Sequence, residues 1–189
     1  MSTGRPRNHA HSDAAKEAAL HLLKEQGYAA ISMEGIAQHT GIAKQTLYRR
    51  WKSKRDLILD AFVDQADRIP LVPPTGNLQE DLRLYLQQTA VLLNSDCGTT
   101  NRALLAEGLQ DAAFLKELRE KHLIKRRNRL AEILRRPFQF SAEQEEYLID
   151  LALGPVWYRL LIQNAPLNEA FMDQVARDVA AAALKLSET

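Results

Sequence analysis

The sequence contains little cysteine and no long apolar run. Its 189 residues include one cysteine, Cys97, so no disulfide can form within the chain, and we expect a reducing compartment, the cytoplasm. No apolar stretch approaches the roughly 20 residues that a membrane-spanning helix needs. The first residues, MSTGRPRNHAHSD, lack the apolar segment of a secretory signal. These absences argue against a disulfide-built secreted fold and against a membrane partner.

The sequence also lacks the spacings that support catalysis or metal binding. It contains no nucleotide-binding glycine loop, no metal-ligand spacing and no pattern of nucleophile and base. We therefore expect no enzymatic activity, no cofactor and no metal site.

Charge is distributed unevenly along the chain. Residues 1–55 hold ten Lys and Arg against four Asp and Glu, a balance of +6, whereas the remaining residues have a balance of −5. A basic front half is typical of a protein that meets a polyanion. A solvated charged surface would show the same balance, so charge alone leaves both interpretations open.

Apolar residues recur at three- and four-residue steps and alternating strand patterns are absent, which predicts an all-α fold. Ser32, Ser53, Asn77, Ser141 and Asn168 stand where helix N-caps are expected. We expect a loop at SDCGTTN, residues 95–101. The predicted helices cover residues 12–26, 33–39, 44–50, 54–69, 78–94, 102–109, 112–135, 142–164 and 169–186.

Two short predicted helices joined by a glycine turn, MEGIAQHTGIAKQTLYRRW, indicate a helix-turn-helix. The second helix of such a unit enters the major groove of double-stranded DNA, where its first residues read base edges. The predicted apolar seam between the two helices consists of Ile36, Ala37, Ile42 and Leu47. The expected DNA-contacting residues are Arg5, Arg7, Ser32, Lys44, Gln45, Thr46, Tyr48, Arg49, Trp51, Lys52 and Lys54.

The segment GRPR at residues 4–7 is positive and contains proline, so we expect an extended arm. Such arms reach into a neighbouring minor groove, where the potential is strongly negative. A disordered tail is the alternative interpretation.

From GRPR through LLKEQGY to ISMEGIAQHTGIAKQTLYRRWKSKRDLILDAF, the sequence closely resembles the DNA-binding domain of TetR/AcrR-family transcriptional regulators. Later segments, such as LVPPTGNLQEDLRLYL and ALGPVWYRLL, are similar to the all-helical C-terminal domain of one AcrR-like subgroup. The resemblance implies a homodimer formed through the last two helices, a small-molecule effector and repression that the effector lifts. A two-fold dimer predicts an inverted-repeat operator. We expect a DNA-binding domain over residues 1–54 and a regulatory and dimerisation domain over residues 55–189.

One residue departs from the family pattern. Many relatives carry Ser or Thr immediately before the recognition helix, whereas this chain has Ala43. Alanine forgoes a cap worth about 1 kcal/mol. Thr40 is a candidate for a partial substitute.

Two further sets of residues are predicted in the C-terminal half, a dimer interface and a ligand pocket. For each set, the alternative is that the residues pack in the hydrophobic core of one protomer. The predicted dimer interface is Leu148, Leu151, Val156, Leu160, Met172, Val175, Val179, Ala183 and Leu186. The predicted ligand pocket is Phe62, Tyr85, Leu86, Leu93, Leu104, Glu107, Phe114, Leu118, His122, Trp157 and Tyr158. A basic cluster around Arg126 is interpreted as a solvated helix face. A dimeric DNA-binding regulator without an inducer remains the alternative function.

Overall fold

The computed structural model describes residues 5–188, with side chains from residue 9 onward, and within this range it contains helices and their connections but no strand. A π-helical segment, Arg119–Leu123, joins two of the helices. The predicted all-α class is confirmed. The helices are α1 Arg5–Gln26, α2 Met33–Thr40, α3 Lys44–Arg50, α4 Lys54–Asp67, α5 Leu78–Leu93, α6 Asp96–Gln110, α7 Ala112–Leu118, α8 Ile124–Leu134, α9 Ala142–Leu161 and α10 Glu169–Ser187.

All five predicted N-caps are confirmed. The side chains of Ser32, Ser53, Asn77, Ser141 and Asn168 each accept a hydrogen bond, at 2.9–3.3 Å, from the backbone amide three residues later. These contacts fix where α2, α4, α5, α9 and α10 begin, because each satisfies one of the amides that a first helical turn leaves unpaired.

The prediction of an extended N-terminal arm is wrong over Arg5–Arg7, because α1 begins at Arg5 rather than at residue 12. Pro6 is compatible with this start, since the first turn of a helix needs no amide from it. Gly4 and the side chains of Arg5 and Arg7 lie outside the described residues, so their contact with DNA stays a prediction.

The predicted loop at residues 95–101 is also wrong, because α6 begins at Asp96. The carboxylate of Asp96 in the first turn interacts favourably with the positive end of the helix dipole. A glycine such as Gly98 is typical of a loop, but here it allows the start of α6 to lie close to the backbone at the end of α5. A Cβ at that position would lie 1.9 Å from the carbonyl oxygen of Leu93, the last residue of α5.

The described residues form two compact units. The first is drawn from Met1–Ile69 with Thr99–Leu118, and the second from Pro70–Gly98 with Arg119–Thr189. The functional division at residue 54 stays a prediction. Among the described helices, none is long and apolar enough to cross a membrane.

The core of the second unit contains most of the predicted dimer interface. There α10 packs against α5 and α9. Seven of the nine predicted interface side chains are buried in this core of a single protomer, and the other two, Leu151 and Leu186, pack against it. A contact between two copies through these residues stays a prediction. The seven buried residues are Leu148, Val156, Leu160, Met172, Val175, Val179 and Ala183.

Candidate nucleic-acid interface

The turn between α2 and α3 is closed by Gly41 and Thr40. Gly41 adopts a left-handed conformation with φ of 69°, which glycine reaches without the steric cost that a Cβ brings. The Thr40 hydroxyl donates to the carbonyl of Ile36 at 2.8 Å and accepts from the amide of Ile42 at 3.3 Å. This local chemistry sets α3 against α2 as a helix-turn-helix.

The seam between α2 and α3 is apolar, as predicted. Ile36, Ala37, Ile42 and Leu47 are all buried. Burying Leu47 turns the opposite side of α3 outward, because side chains repeat every 3.6 residues. The outward residues are Lys44, Gln45, Tyr48 and Arg49, with Thr46 half-buried beside them.

Glu34 in the first turn of α2 contacts this outward side and was not predicted. Its Oε1 lies 3.4 Å from Nζ of Lys44 and accepts a hydrogen bond from the hydroxyl of Tyr48, also at 3.4 Å. A hydrogen bond from its own backbone amide, together with Lys44 and Tyr48, lowers the pKa of Glu34. An ionised Glu34 therefore orients both side chains and reduces the positive charge of the α3 face.

Lys52 and Lys54 have different surroundings, although the sequence predicts the same role for both. Lys52 is exposed. The ammonium of Lys54 donates to the carbonyls of Tyr28 at 2.7 Å and Ile31 at 2.9 Å, and it lies 4.6 Å from the centroid of the Tyr28 ring. Lys54 therefore holds the connection between α1 and α2, while contact of Lys52 with a phosphate stays a prediction.

Replacing each lysine by alanine should separate these roles. Lys52→Ala is expected to weaken binding to all duplex sequences alike and to reduce the salt dependence by about one unit of slope. Lys54→Ala removes two charge-assisted hydrogen bonds and should lower the free energy of unfolding by about 1–3 kcal/mol. Salt-titrated fluorescence anisotropy and thermal unfolding measure the two effects. A full salt-slope change in a stable Lys54→Ala variant would contradict the assignment.

Trp51, predicted to contact DNA, is 5% exposed. Its indole N–H donates to Oδ2 of Asp60 on α4 at 3.0 Å, and Nζ of Lys16 on α1 lies 3.1 Å from the same oxygen. Burial opposes ionisation of Asp60, but the hydrogen bonds from Trp51 and Lys16 outweigh it and lower its pKa. We therefore assign Trp51 to fixing the end of α3 on α4 rather than to the DNA-facing set.

The helix α3 begins without a side-chain cap. Ala43 is exposed, and its methyl group accepts no hydrogen bond. Thr40 does not substitute, because its hydroxyl is engaged within α2 and at the turn. The hydroxyl of Ser32 caps α2 and is exposed, so it remains available as a donor to a phosphate.

We expect Ala43→Ser to stabilise the first unit. A serine hydroxyl at this position can accept from the first amides of α3, and a cap of this kind contributes about 1 kcal/mol. The melting temperature should rise by a few degrees. Thermal unfolding followed by circular dichroism checks this result, with Ala43→Val as the control, because valine ranks with alanine at an N-cap and adds no side-chain acceptor. An unchanged or lower melting temperature for Ala43→Ser would count against an uncapped α3.

The predicted ligand-pocket residues are divided between the two units. Phe62, Leu104, Phe114 and Leu118 are buried in the first, where Glu107 is half-buried. Tyr85, Leu86 and Leu93 belong to the core of the second, and Trp157 packs against that core. His122 is buried in the π-helical segment, whereas Tyr158 is 57% exposed.

A helix-turn-helix with an outward basic and polar recognition helix defines a class of DNA-binding proteins. Family comparison agrees with this class. The family model described as "Bacterial regulatory proteins, tetR family" matches residues 17–61, and "Tetracyclin repressor-like, C-terminal domain" matches residues 72–179. The HTH-type transcriptional regulator YdeS of Bacillus subtilis is 33% identical over 174 residues, which cover 89% of this chain and 87% of YdeS.

Solved structures show the same fold. The TetR family transcription regulator SCO0332 aligns with a TM-score of 0.72 and 26% identity, over 91% of this chain and 97% of that one. The flavonoid-responsive regulator FrrA shares the fold with a TM-score of 0.69 at 23% identity, over 94% and 96% of the two chains. The chain belongs to the TetR family of bacterial regulatory proteins. It is a DNA-binding transcriptional regulator and not an enzyme.

Proposed function

We propose that this regulator is a homodimeric, cytoplasmic repressor that binds an inverted-repeat operator and leaves it when a small-molecule effector binds. The outward face of α3 carries the proposal. Gln45 and Thr46 have the donors and acceptors that read base edges, while Lys44, Arg49 and Lys52 supply charge for phosphates. A single α3 covers only one half-site, so two copies are needed for a specific operator.

The exposed side of α9 supports self-association. Tyr147, Leu151, Gly154, Tyr158 and Leu161 follow one another at steps of four, three, four and three residues, which places them on one stripe of the helix. Tyr147, Tyr158 and Leu161 are 56%, 57% and 42% exposed in the protomer. Exposed apolar stripes of this kind mark protein–protein contacts. We propose the dimer contact on this stripe, which shares the partly buried Leu151 with the predicted interface, instead of on the buried face of α9.

The effector is supported by family membership and by one relative of the same fold. FrrA is described as flavonoid-responsive, which indicates that this architecture can respond to a small organic molecule. The predicted pocket residues stay candidates for contacts with the effector. A dimeric regulator without an inducer is the alternative, and it would bind the operator identically in the presence of any metabolite.

Selection of bound sequences from a random duplex pool, at near-physiological salt, tests the DNA-binding part of the proposal. We expect an inverted repeat whose half-sites lie about 34–36 Å apart or a multiple of that distance. The Gln45→Ala variant should select an altered sequence, whereas Lys52→Ala should select the same sequence with lower yield. Enrichment of no sequence by the folded protein would refute specific recognition.

Release by an effector needs a second assay. The selected operator, labelled with a fluorophore, serves as the probe for a metabolite screen by anisotropy. A compound that lowers operator affinity at least tenfold supports an inducer. A complete screen without one favours the alternative of a regulator that responds to no small molecule.

A further inference from the structure

Arg126 on α8 is a half-buried arginine with an incomplete set of hydrogen bonds. Its Nη2 donates to Oγ1 of Thr89 on α5 at 2.9 Å, and its Cζ lies 5.2 Å from the centroid of the Tyr85 ring. Its Nη1 is buried and has no hydrogen-bond acceptor among the described residues. All these groups belong to the second unit. The predicted solvated face of α8 is therefore wrong at this position.

The neighbours of Arg126 are buried and carry no negative charge. The Tyr85 hydroxyl donates to the backbone carbonyl of Arg126 at 2.9 Å, and burial raises the pKa of Tyr85. Burial also raises the pKa of the Cys97 thiol to about 11, although the charge of Arg126 opposes this shift. Thr89 donates its hydroxyl proton to the Tyr85 carbonyl at 2.9 Å. None of the three neutralises the guanidinium at neutral pH.

Three other arginines in this part of the chain, Arg127, Arg135 and Arg136, have carboxylate partners, whereas Arg126 has none in the described part of the chain. Among residues 9–188, whose side chains the structure describes, no carboxylate forms an ion pair with Arg126. Arg127, the next residue, contacts Glu146 at 2.7 Å and Asp150 at 3.0 Å. Arg135 and Arg136 pair with Glu145 and Asp81.

An unpaired guanidinium N–H in this environment is unfavourable. Arginine does not lose its proton in proteins, so the group cannot become neutral to escape burial. A buried donor without an acceptor has lost its hydrogen bonds to water without replacing them, and the cost is greater when the group is charged. The site therefore favours any molecule that brings a negative acceptor to Nη1.

We propose that Arg126 is the binding residue for a carboxylate group on the small-molecule effector, with Thr89 and Tyr85 orienting the guanidinium. This inference rests on the proposed function, which supplies the existence of an effector. A carboxylate fits because its two oxygens match the planar guanidinium and it carries a single charge. Phosphate is disfavoured, because it would place a larger negative charge beside the buried side chains of Tyr85, Thr89 and Cys97.

The test uses matched pairs of probes on the full chain without DNA. Benzoate is compared with benzamide and octanoate with octanamide, because each pair differs mainly in charge. Dissociation constants come from thermal shift titrations. We expect at least one carboxylate to bind more tightly than its amide, by about 10- to 100-fold, as for a charge-assisted hydrogen bond. Arg126→Gln should abolish this ratio, and Arg126→Lys, which keeps the charge, should retain part of it.

Arg127→Gln is the matched control. It removes an adjacent arginine that has its own carboxylate partners, so the carboxylate-to-amide ratio should remain that of the wild type. If Arg126 only held α8 against α5, Arg126→Gln would lower the melting temperature and leave the ratio unchanged, which would overturn the inference. The carboxylate site is also wrong if neither carboxylate is preferred over its amide, or if chloride or phosphate stabilises the protein equally.

Operator release separates this inference from the proposed function. If a carboxylate binds through Arg126 but leaves operator affinity unchanged, the site stands and effector-controlled release is wrong. If a neutral compound releases both the wild type and Arg126→Gln from the operator, release stands and the carboxylate site is wrong.

Discussion

Trp51→Ala is expected to lower the free energy of unfolding of the first unit by about 3–5 kcal/mol and to abolish measurable operator binding. The indole is buried at the C-terminal end of α3 and donates to Asp60 on α4. Removing it leaves a cavity of aromatic size and an oxygen of Asp60 without one of its donors. The recognition helix then loses its fixed position on α4. Urea unfolding followed by circular dichroism measures the stability.

Trp51→Phe separates packing from hydrogen bonding. Phenylalanine fills most of the volume but has no N–H, so we expect a smaller loss of about 1–3 kcal/mol. The hydrogen bond lowers the folded-state pKa of Asp60, so its stabilisation is present above the unfolded pKa of about 3.9 and decreases as the pH falls through the folded value. The difference between wild type and Trp51→Phe should therefore shrink below about pH 4. A difference that grows towards low pH would contradict the role of Asp60.

The helix-turn-helix was predictable because its determinants are local. Ser32 caps α2 by a contact three residues away, and Gly41 ends that helix through its own φ angle. The predicted bounds of α3, Lys44–Arg50, are confirmed although Ala43 provides no cap. Short-range capping and turn chemistry can be read from a sequence, since their partners lie within one helical turn.

The roles of individual side chains depended on distant partners and were harder to predict. Lys54 binds a carbonyl 26 residues away, and Arg126 contacts a hydroxyl 37 residues away. The sequence shows that both side chains are positively charged, but it does not show which distant group each one contacts. Gly98 suggested a loop because sequence alone does not show the backbone of Leu93 approaching it.

The apolar faces of α9 illustrate a second limit. This helix carries large apolar side chains around most of its circumference, so periodicity does not tell which side meets its own core. Leu160 is 4% exposed and belongs to the core, whereas the adjacent Leu161 is 42% exposed. The predicted interface took four residues from α9, of which Leu148, Val156 and Leu160 lie on the side that is buried within the protomer and Leu151 lies on the stripe. The exposed stripe became visible only once α10 and α5 were in place.

The pair Leu160 and Leu161 tests the proposed dimer contact on the exposed stripe of α9. Leu161→Asp introduces a charge on the exposed stripe, and we expect the dimer dissociation constant to rise by at least about 30-fold. Loss of the second recognition helix should then lower operator affinity by about 100-fold or more. Leu160→Ala should instead lower the free energy of unfolding by about 2–5 kcal/mol, because it leaves a cavity in the core.

Sedimentation equilibrium gives the association state of each variant, and anisotropy with the selected operator gives its affinity. Val91→Asp is the matched control, because Val91 is 72% exposed on α5 and lies outside the stripe. It should leave both the mass and the operator affinity unchanged. A Leu161→Asp protein that remains a dimer at wild-type affinity would exclude this stripe as the interface. Such a result would require the two copies to meet through another surface, because the face of α9 on the other side is already occupied within each protomer.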